Sequence, residues 1–277
     1  MNAEDSSVYC QEDIEVHTGD KKLWRIIGVF DGKLKLVTDN IISTQGLSWD
    51  TSDSSVNNGN GINEWSQSDL MKLLNPGYED ESINNSLYWN KGSGTVYKGW
   101  RNSTTPNVSF ASTGLSENEK NMIEEVTWYT GAYNNSSYVD VHYKAEREDM
   151  GKTCSSGTYC NDTVIRTNEW SGKVGLISAS DYGYSVDLNS CNYTLDKYWQ
   201  DDCSLNNWLV NGIWYWTMSP GADSNAARYV FSVDSYGYLE CNDASYGVSV
   251  RPAVYLKSGV TISSGNGSGS DPYELSY

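Results

Sequence analysis

Trp214-Tyr-Trp-Thr-Met-Ser-Pro220 and Gly247-Val-Ser-Val-Arg-Pro-Ala-Val-Tyr-Leu256 decide how this chain is read. In the first segment Trp214, Trp216 and Met218 recur at every second position. In the second, Val248, Val250, Pro252, Val254 and Leu256 do the same. Successive side chains of a strand point to opposite faces, so a period of two marks strands with a buried face. Between these frames, 21 of the 29 residues from 221 to 249 are Gly, Ala, Asp, Ser, Asn or Tyr, and none is Lys, Gln, Met or Trp. That composition cannot fill a core. It suits a contact surface, where Tyr supplies rigid amphipathic area and Ser, Gly and Asn supply adaptable hydrogen bonds. The run reads as a recognition surface on a β frame. Its expected ligand-facing residues are Trp214, Tyr215, Asp223, Ser224, Asn225, Ser235, Tyr236, Tyr238, Asn242, Asp243, Ser245 and Tyr246. Tyr236 and Tyr246 sit in turn-like polar contexts and should be exposed. Tyr229 shares a face with Phe231 and Val233 and should pack, as should Trp216.

Trp216-Thr-Met-Ser-Pro220, Tyr229-Val-Phe-Ser-Val233 and the 247–256 segment resemble the C-terminal half of C-type-lectin-like domains in surface proteins of gut Firmicutes. Those domains are distant relatives of the formylglycine-generating enzymes. The resemblance extends weakly over residues 23–275. It implies an α+β, C-type-lectin-like fold with two helices, small antiparallel sheets and long aromatic-anchored loops. Some such domains are variable proteins of diversity-generating retroelements, in which adenine-directed mutagenesis alters selected codons on a fixed scaffold. Mutated Asn codons yield Tyr, Ser, Asp, Ala, Gly and Cys but not Lys, Gln, Met, Trp or Glu. Of the residues that mutated Asn codons cannot give, the 221–249 run contains only Glu240. The implied function is a surface-displayed or secreted protein with a diversifiable site for a protein or glycan ligand. The alternatives are an oxidoreductase of the formylglycine-generating type and a structural pilus or surface-layer subunit.

The 277 residues suffice to bury a core as one large domain or two small ones. Eleven Trp and 21 Tyr against three Phe point to aromatic packing with polar handles. A formal net charge of −17 argues against nucleic-acid partners, which need clustered Lys and Arg, and against docking on anionic membranes. No stretch approaches the roughly 18–20 apolar residues of a membrane span. Residues 1–7 lack the basic and apolar regions of a signal peptide. Six cysteines in an Asn/Ser/Tyr-rich chain favour an oxidising compartment, hence an extracellular or cell-surface location with a leader or anchor already removed. Cys154 and Cys160 bracket a short Gly-containing loop, and Cys191 and Cys203 bracket an aromatic segment, so these form the expected pairs. Cys10 and Cys241 are left over, and Cys241, inside the variable run, is expected to be unpaired.

Residues 1–22 read as an arm, 23–262 as the lectin-like domain and 263–277 as a flexible Gly/Ser-rich tail. Leu23–Phe30 and Lys33–Thr38 flank Asp31-Gly32, which supplies the positive φ angles of a two-residue hairpin turn. Because the terminal strands pair in lectin-like folds, this hairpin should lie beside Val248–Leu256. Asn63–Leu74 carries apolar residues at helical spacing and is stopped by Asn75-Pro76-Gly77. Ser116-Glu-Asn-Glu119 is a capping box opening a helix that ends near Gly131. Gly172–Ile177 reads as a strand, Ser180 as the cap of a brief helix through Tyr184, and Leu205–Val210 as a helical turn. The polar stretch from Tyr78 to Ser112 should be held by Tyr88, Trp89, Tyr97 and Trp100.

Catalysis finds little footing. No nucleophile elbow occurs, and His17 and His142 lie in ordinary polar contexts that suit surface or hydrogen-bonded residues. Arg251 is followed by Pro252 rather than by the cysteine-containing continuation of the formylglycine-generating enzymes, and Cys241 lacks a partner at suitable spacing. Asp201-Asp202 and Glu124-Glu125 read as solvated faces. The Glu-Pro-Asn, Gln-Pro-Asp and Trp-Asn-Asp motifs of calcium-dependent lectins are missing, as is C-x-x-C zinc spacing. No enzyme, metal or cofactor is expected.

Overall fold

The hairpin at Asp31-Gly32 forms the centre of the main sheet. Leu23–Phe30 and Lys33–Thr38 pair antiparallel across it, and Asp31 and Gly32 take φ values of 49° and 75°. The computed structural model describes residues 8–20, 22–52, 59–79, 86–97, 104–131, 136–147, 167–221 and 228–277. The Lys33–Thr38 strand pairs on its other side with Ala253–Leu256, with Val37 opposite Ala253 and Lys35 opposite Tyr255. The N-terminal hairpin and the C-terminal frame therefore meet, as the resemblance implied. Val174–Gly175 and Ile123–Glu124 both pair with Ala253–Leu256.

The other edge is built from the two ends of the described chain. Glu15–His17 pairs with Leu23–Phe30, and Tyr273–Ser276 pairs in parallel with Glu15–His17. Thr261–Ser264 closes that edge against Tyr273–Ser276. The Gly/Ser-rich tail, expected to be flexible, thus contains two paired strands. Its glycines serve the turn between them: Gly265 and Gly267 have φ of 89° and 81°, which β-carbon-bearing residues adopt only with strain. Arg25 holds the N-terminal arm down by pairing with Asp13, Glu15 and Asp39.

The fold is α+β, with 16% of residues helical and a curled sheet. Five short helices occur among the described residues, against the two helices and two brief helical turns expected: Asp69–Leu74, Glu117–Met122, Val139–Arg147, Ala179–Gly183 and Asp201–Ser204. The Ser116/Glu119 capping box is present in full. Its helix stops at Met122 instead of Gly131, because Ile123 and Glu124 are drawn into the sheet against Leu256 and Tyr255. The β-branched Val126 and Thr127 then continue as a strand paired with Glu169–Gly172. Ser178, not Ser180, caps the Ala179–Gly183 helix, in a second capping box with Asp181. In the Asn63–Leu74 segment a short 3-10 turn at Trp65–Gln67 precedes Asp69–Leu74, and Ser68 restarts the helix as its cap. The turn near Leu205 lies one step earlier, at Asp201–Ser204.

Trp24, Trp49, Trp65, Trp216, Tyr88, Tyr182, Tyr198, Phe110 and Phe231 are among the largest fully buried side chains. Tyr88 and Tyr97, expected to hold the 78–112 stretch, are buried; Trp89 is half-buried, and Trp100 lies outside the described residues. The Cys191–Cys203 disulfide forms as expected. Cys154 and Cys160 lie outside the described residues.

A candidate recognition face

Tyr215–Pro220, Tyr229–Val233 and Leu239–Asp243 form a separate three-stranded antiparallel sheet that carries the Tyr-rich run. One side of it is core. Phe231 packs edge-on to the buried His142 ring at 5.6 Å, and Val233 and Leu239 are fully buried. His142 is therefore an interior residue, whereas His17 pairs with Glu274 at the sheet edge.

The other side is polar toward its free end. Trp214 donates its indole N–H to Ser232 Oγ at 2.9 Å, and Asn242 donates to the same oxygen at 3.0 Å. Ser232 lies opposite Glu240 in register. Trp214, Asn242 and Glu240 are half-buried, so this cluster is ordered but reachable. Burial pushes the Glu240 carboxyl above its ordinary range; the Asn242 hydrogen bond opposes this, and the nearby Asp234 charge adds to it.

The hairpin joining the last two strands is fixed at its tip. Asp234 Oδ1 accepts the N–H groups of Tyr236 and Tyr238, each at 2.8 Å, and Asp234 N donates to Tyr238 O at 2.9 Å. Gly237 has φ of 88°, and its carbonyl accepts the hydroxyl of the buried Tyr182. Backbone held from both sides leaves one outlet for the Tyr236 side chain, which is 75% exposed beside exposed Ser235. A large aromatic on a rigid tip is the arrangement that contact surfaces use, since little entropy is lost when a ligand covers it.

The structure divides the expected ligand set. Trp214, Ser235, Tyr236, Tyr238, Asn242 and Tyr246 keep accessible surface. Asp243 keeps some, but is ion-paired with Arg228 at 2.7 Å. Tyr215 does not belong to the set. It is fully buried, donates its hydroxyl to Leu209 O at 3.1 Å, and lies 5.1 Å from the guanidinium of buried Arg251. Its strand is covered on both faces, so the residue between Trp214 and Trp216 turns inward. Ser245 does not belong either. Ser48 and Asn60 seal it: Ser245 N donates to Asn60 O, and Ser245 O accepts the Ser48 hydroxyl. Asp223, Ser224 and Asn225 lie outside the described residues.

One accessible residue lies outside the expected ligand set: Glu240, the exception to the expected alphabet, is half-buried and accepts a hydrogen bond from Asn242. Ser232, fully buried, orients Trp214 and Asn242 from beneath the face. Arg251, read only as the residue before Pro252, is a buried strut donating to Thr38 O at 2.9 Å.

Elsewhere, a groove of about 320 Å³ runs between Phe30, Lys33, Tyr129, Arg147, Glu169 and Tyr255. It is lined by charges of both signs. Among the described residues no group of three or more His, Cys, Asp or Glu is placed to hold a metal ion, and no helix is long and apolar enough to cross a membrane. The chain matches no family model, and comparison with curated proteins and with solved structures gives no match.

Proposed function

We propose that this chain is a surface-displayed or secreted binding protein. Its ligand contacts the Tyr236 hairpin tip and the adjoining Trp214, Glu240 and Asn242 face. The observation that carries this reading is Tyr236: a large aromatic, 75% exposed, on a turn whose backbone is pinned by Asp234 and Tyr182. An exposed aromatic on a turn whose backbone is already fixed loses little entropy when a ligand covers it, which suits recognition. The polar neighbours suit a protein or glycan surface, and the −17 charge disfavours nucleic acid.

The proposed scaffold is C-type-lectin-like. The antiparallel meeting of the N-terminal hairpin with Ala253–Leu256, and the small separate sheet bearing the Tyr-rich run, support that assignment. Placement outside the cytoplasm is supported by the Cys191–Cys203 disulfide. Diversification by a retroelement is proposed for the accessible positions only. A reverse-transcriptase gene beside a near-duplicate of the 3′ coding segment, mismatched only at adenines, tests it.

The binding proposal is tested by arraying the chain on immobilised glycans and cell-surface proteins, then repeating the array with Tyr236→Ala and Trp214→Ala. Loss of the positive signals with unchanged thermal stability is expected. Signals that survive both changes would place the site elsewhere.

A further inference from the structure

Lys35 occupies a position in the middle of the main sheet where an apolar residue would ordinarily sit. Its side chain is 6% exposed, and its ammonium lies 2.5 Å from Oδ2 of Asp181, which is 1% exposed. The rings of Phe30, Trp128 and Tyr255 surround the Nζ at 5.5, 5.1 and 5.5 Å. Removing two charges from water costs more than their attraction returns in many interiors. An amide bond between the two groups removes both charges and that cost with them.

Neither partner can turn away. Asp181 is locked as the third residue of its helix: Ser178 N donates to its Oδ2 at 2.7 Å, and its own N–H donates to Ser178 Oγ at 3.1 Å. Lys35 is fixed by strand pairing on both sides. An amine held against a carboxyl without freedom to relax is the ground state of amide formation, where positioning alone supplies much of the rate. A third carboxyl lies in the same interior. Glu146, 2% exposed, accepts Ser180 N at 3.0 Å, the Ser180 hydroxyl, and Ser219 Oγ at 3.0 Å. Ser180 Oγ in turn lies 3.0 Å from Ser178 Oγ, the capping oxygen of Asp181. Burial pushes the Glu146 carboxyl above its ordinary range, opposed by the Arg147 charge and the Ser180 hydrogen bonds.

We propose that Lys35 and Asp181 join in an intramolecular isopeptide bond, formed by the chain itself. The Lys35 Nζ–Asp181 Cγ bond forms and one Cγ–O bond breaks. The oxygen leaves as water, carrying one proton from the amine and one from the acid. No oxidant, cofactor or co-reactant is needed. Glu146 acts through Ser180 and Ser178 as a positioning residue for Asp181. The cross-link spans 146 residues of chain and ties the central sheet to the helix bearing Tyr182. Tyr182 is the side chain that holds Gly237 at the hairpin tip. A protein exposed to proteases and shear would gain a scaffold that cannot be pulled apart there.

The test is the intact mass of the full chain, denatured and with disulfides reduced. The mass should fall short of the sequence mass by one water. A tryptic digest should contain a branched peptide joining the Lys35 and Asp181 segments, uncut after Lys35. Lys35→Arg should restore the full mass. Glu146→Gln should slow the loss of water on the order of a hundredfold and shift its pH profile while the chain stays folded. A wild-type chain of full mass would overturn the proposal. So would a missing water with Lys35 and Asp181 in separate linear peptides, as cyclisation at Asp31-Gly32 would give. Because the decisive reading is made on the unmodified chain, it does not depend on any variant folding.

Discussion

Replacing Tyr236 by Ala separates recognition from folding more cleanly than any other change in the described surface. Burying a large apolar side chain fully contributes roughly 2–3 kcal/mol. Tyr236 is 75% exposed, so only about a quarter of that, ~0.5–0.8 kcal/mol, is at stake in the folded chain. The Asp234 bonds that shape the tip are to backbone N–H groups and survive the change. Trp216 sets the opposite scale. It is fully buried and donates to Leu47 O at 2.9 Å, so Trp216→Ala should cost about 3–5 kcal/mol. If Tyr236 is a binding anchor, its loss should weaken ligand capture by roughly 2 kcal/mol or more, about 30-fold. Urea unfolding followed by intrinsic fluorescence measures the first quantity, and surface plasmon resonance against a ligand from the array measures the second. A stability loss above about 2 kcal/mol for Tyr236→Ala, or an affinity within a few-fold of wild type, would refute the reasoning.

Other outcomes follow from the same geometry. Tyr215→Phe removes the buried hydroxyl that Leu209 O accepts; it should cost about 1 kcal/mol in urea unfolding and leave ligand affinity unchanged, and a fall in affinity would return Tyr215 to the site. The folded chain holds the Glu240 proton more tightly than the unfolded chain, so this residue's favourable contribution is present below the ordinary carboxylate value of 4.5 and is lost as pH rises through the folded-state value. Glu240→Gln should therefore gain stability over wild type as pH rises through that window, whereas a pH-independent difference would show the carboxylate to be well solvated. Replacing both Cys191 and Cys203 by Ser opens a link of sequence separation 12 and should lower stability by about 3 kcal/mol; an unchanged unfolding midpoint would show that packing alone holds the segment.

What could be read in advance was what short segments decide alone. The Asp31-Gly32 hairpin needs only two residues able to take positive φ, and the Ser116/Glu119 box only two side chains one turn apart. What stayed hidden depends on partners far along the chain. The tail forms strands because Glu15–His17, more than 250 residues earlier, offers Tyr273–Ser276 an edge, and no Gly/Ser composition can report that. Ser245 lies beneath Ser48 and Asn60, so its burial comes from a loop almost 200 residues upstream. The alternation that located the Trp214–Leu256 frame also misled at Tyr215. Period two assigns faces but does not say that both will be covered. The Val139–Arg147 helix went unread because two Val residues weaken helical propensity and its buried face includes His142 and Glu146, which pattern reading counts as polar.

The distinction between an inflexible frame and an exchangeable face can be measured in a single experiment. Codons for Ser235, Tyr236, Tyr238 and Asn242, together with those for Tyr215 and Ser245, are each randomised singly, and the protease-resistant folded pool is sequenced. Broad residue usage at the first four positions, and usage narrowed to the native residue and its near-isosteres at Tyr215 and Ser245, is the expected result. Equal intolerance at both sets would contradict it, making the Tyr-rich run part of the core rather than a surface offered to a ligand.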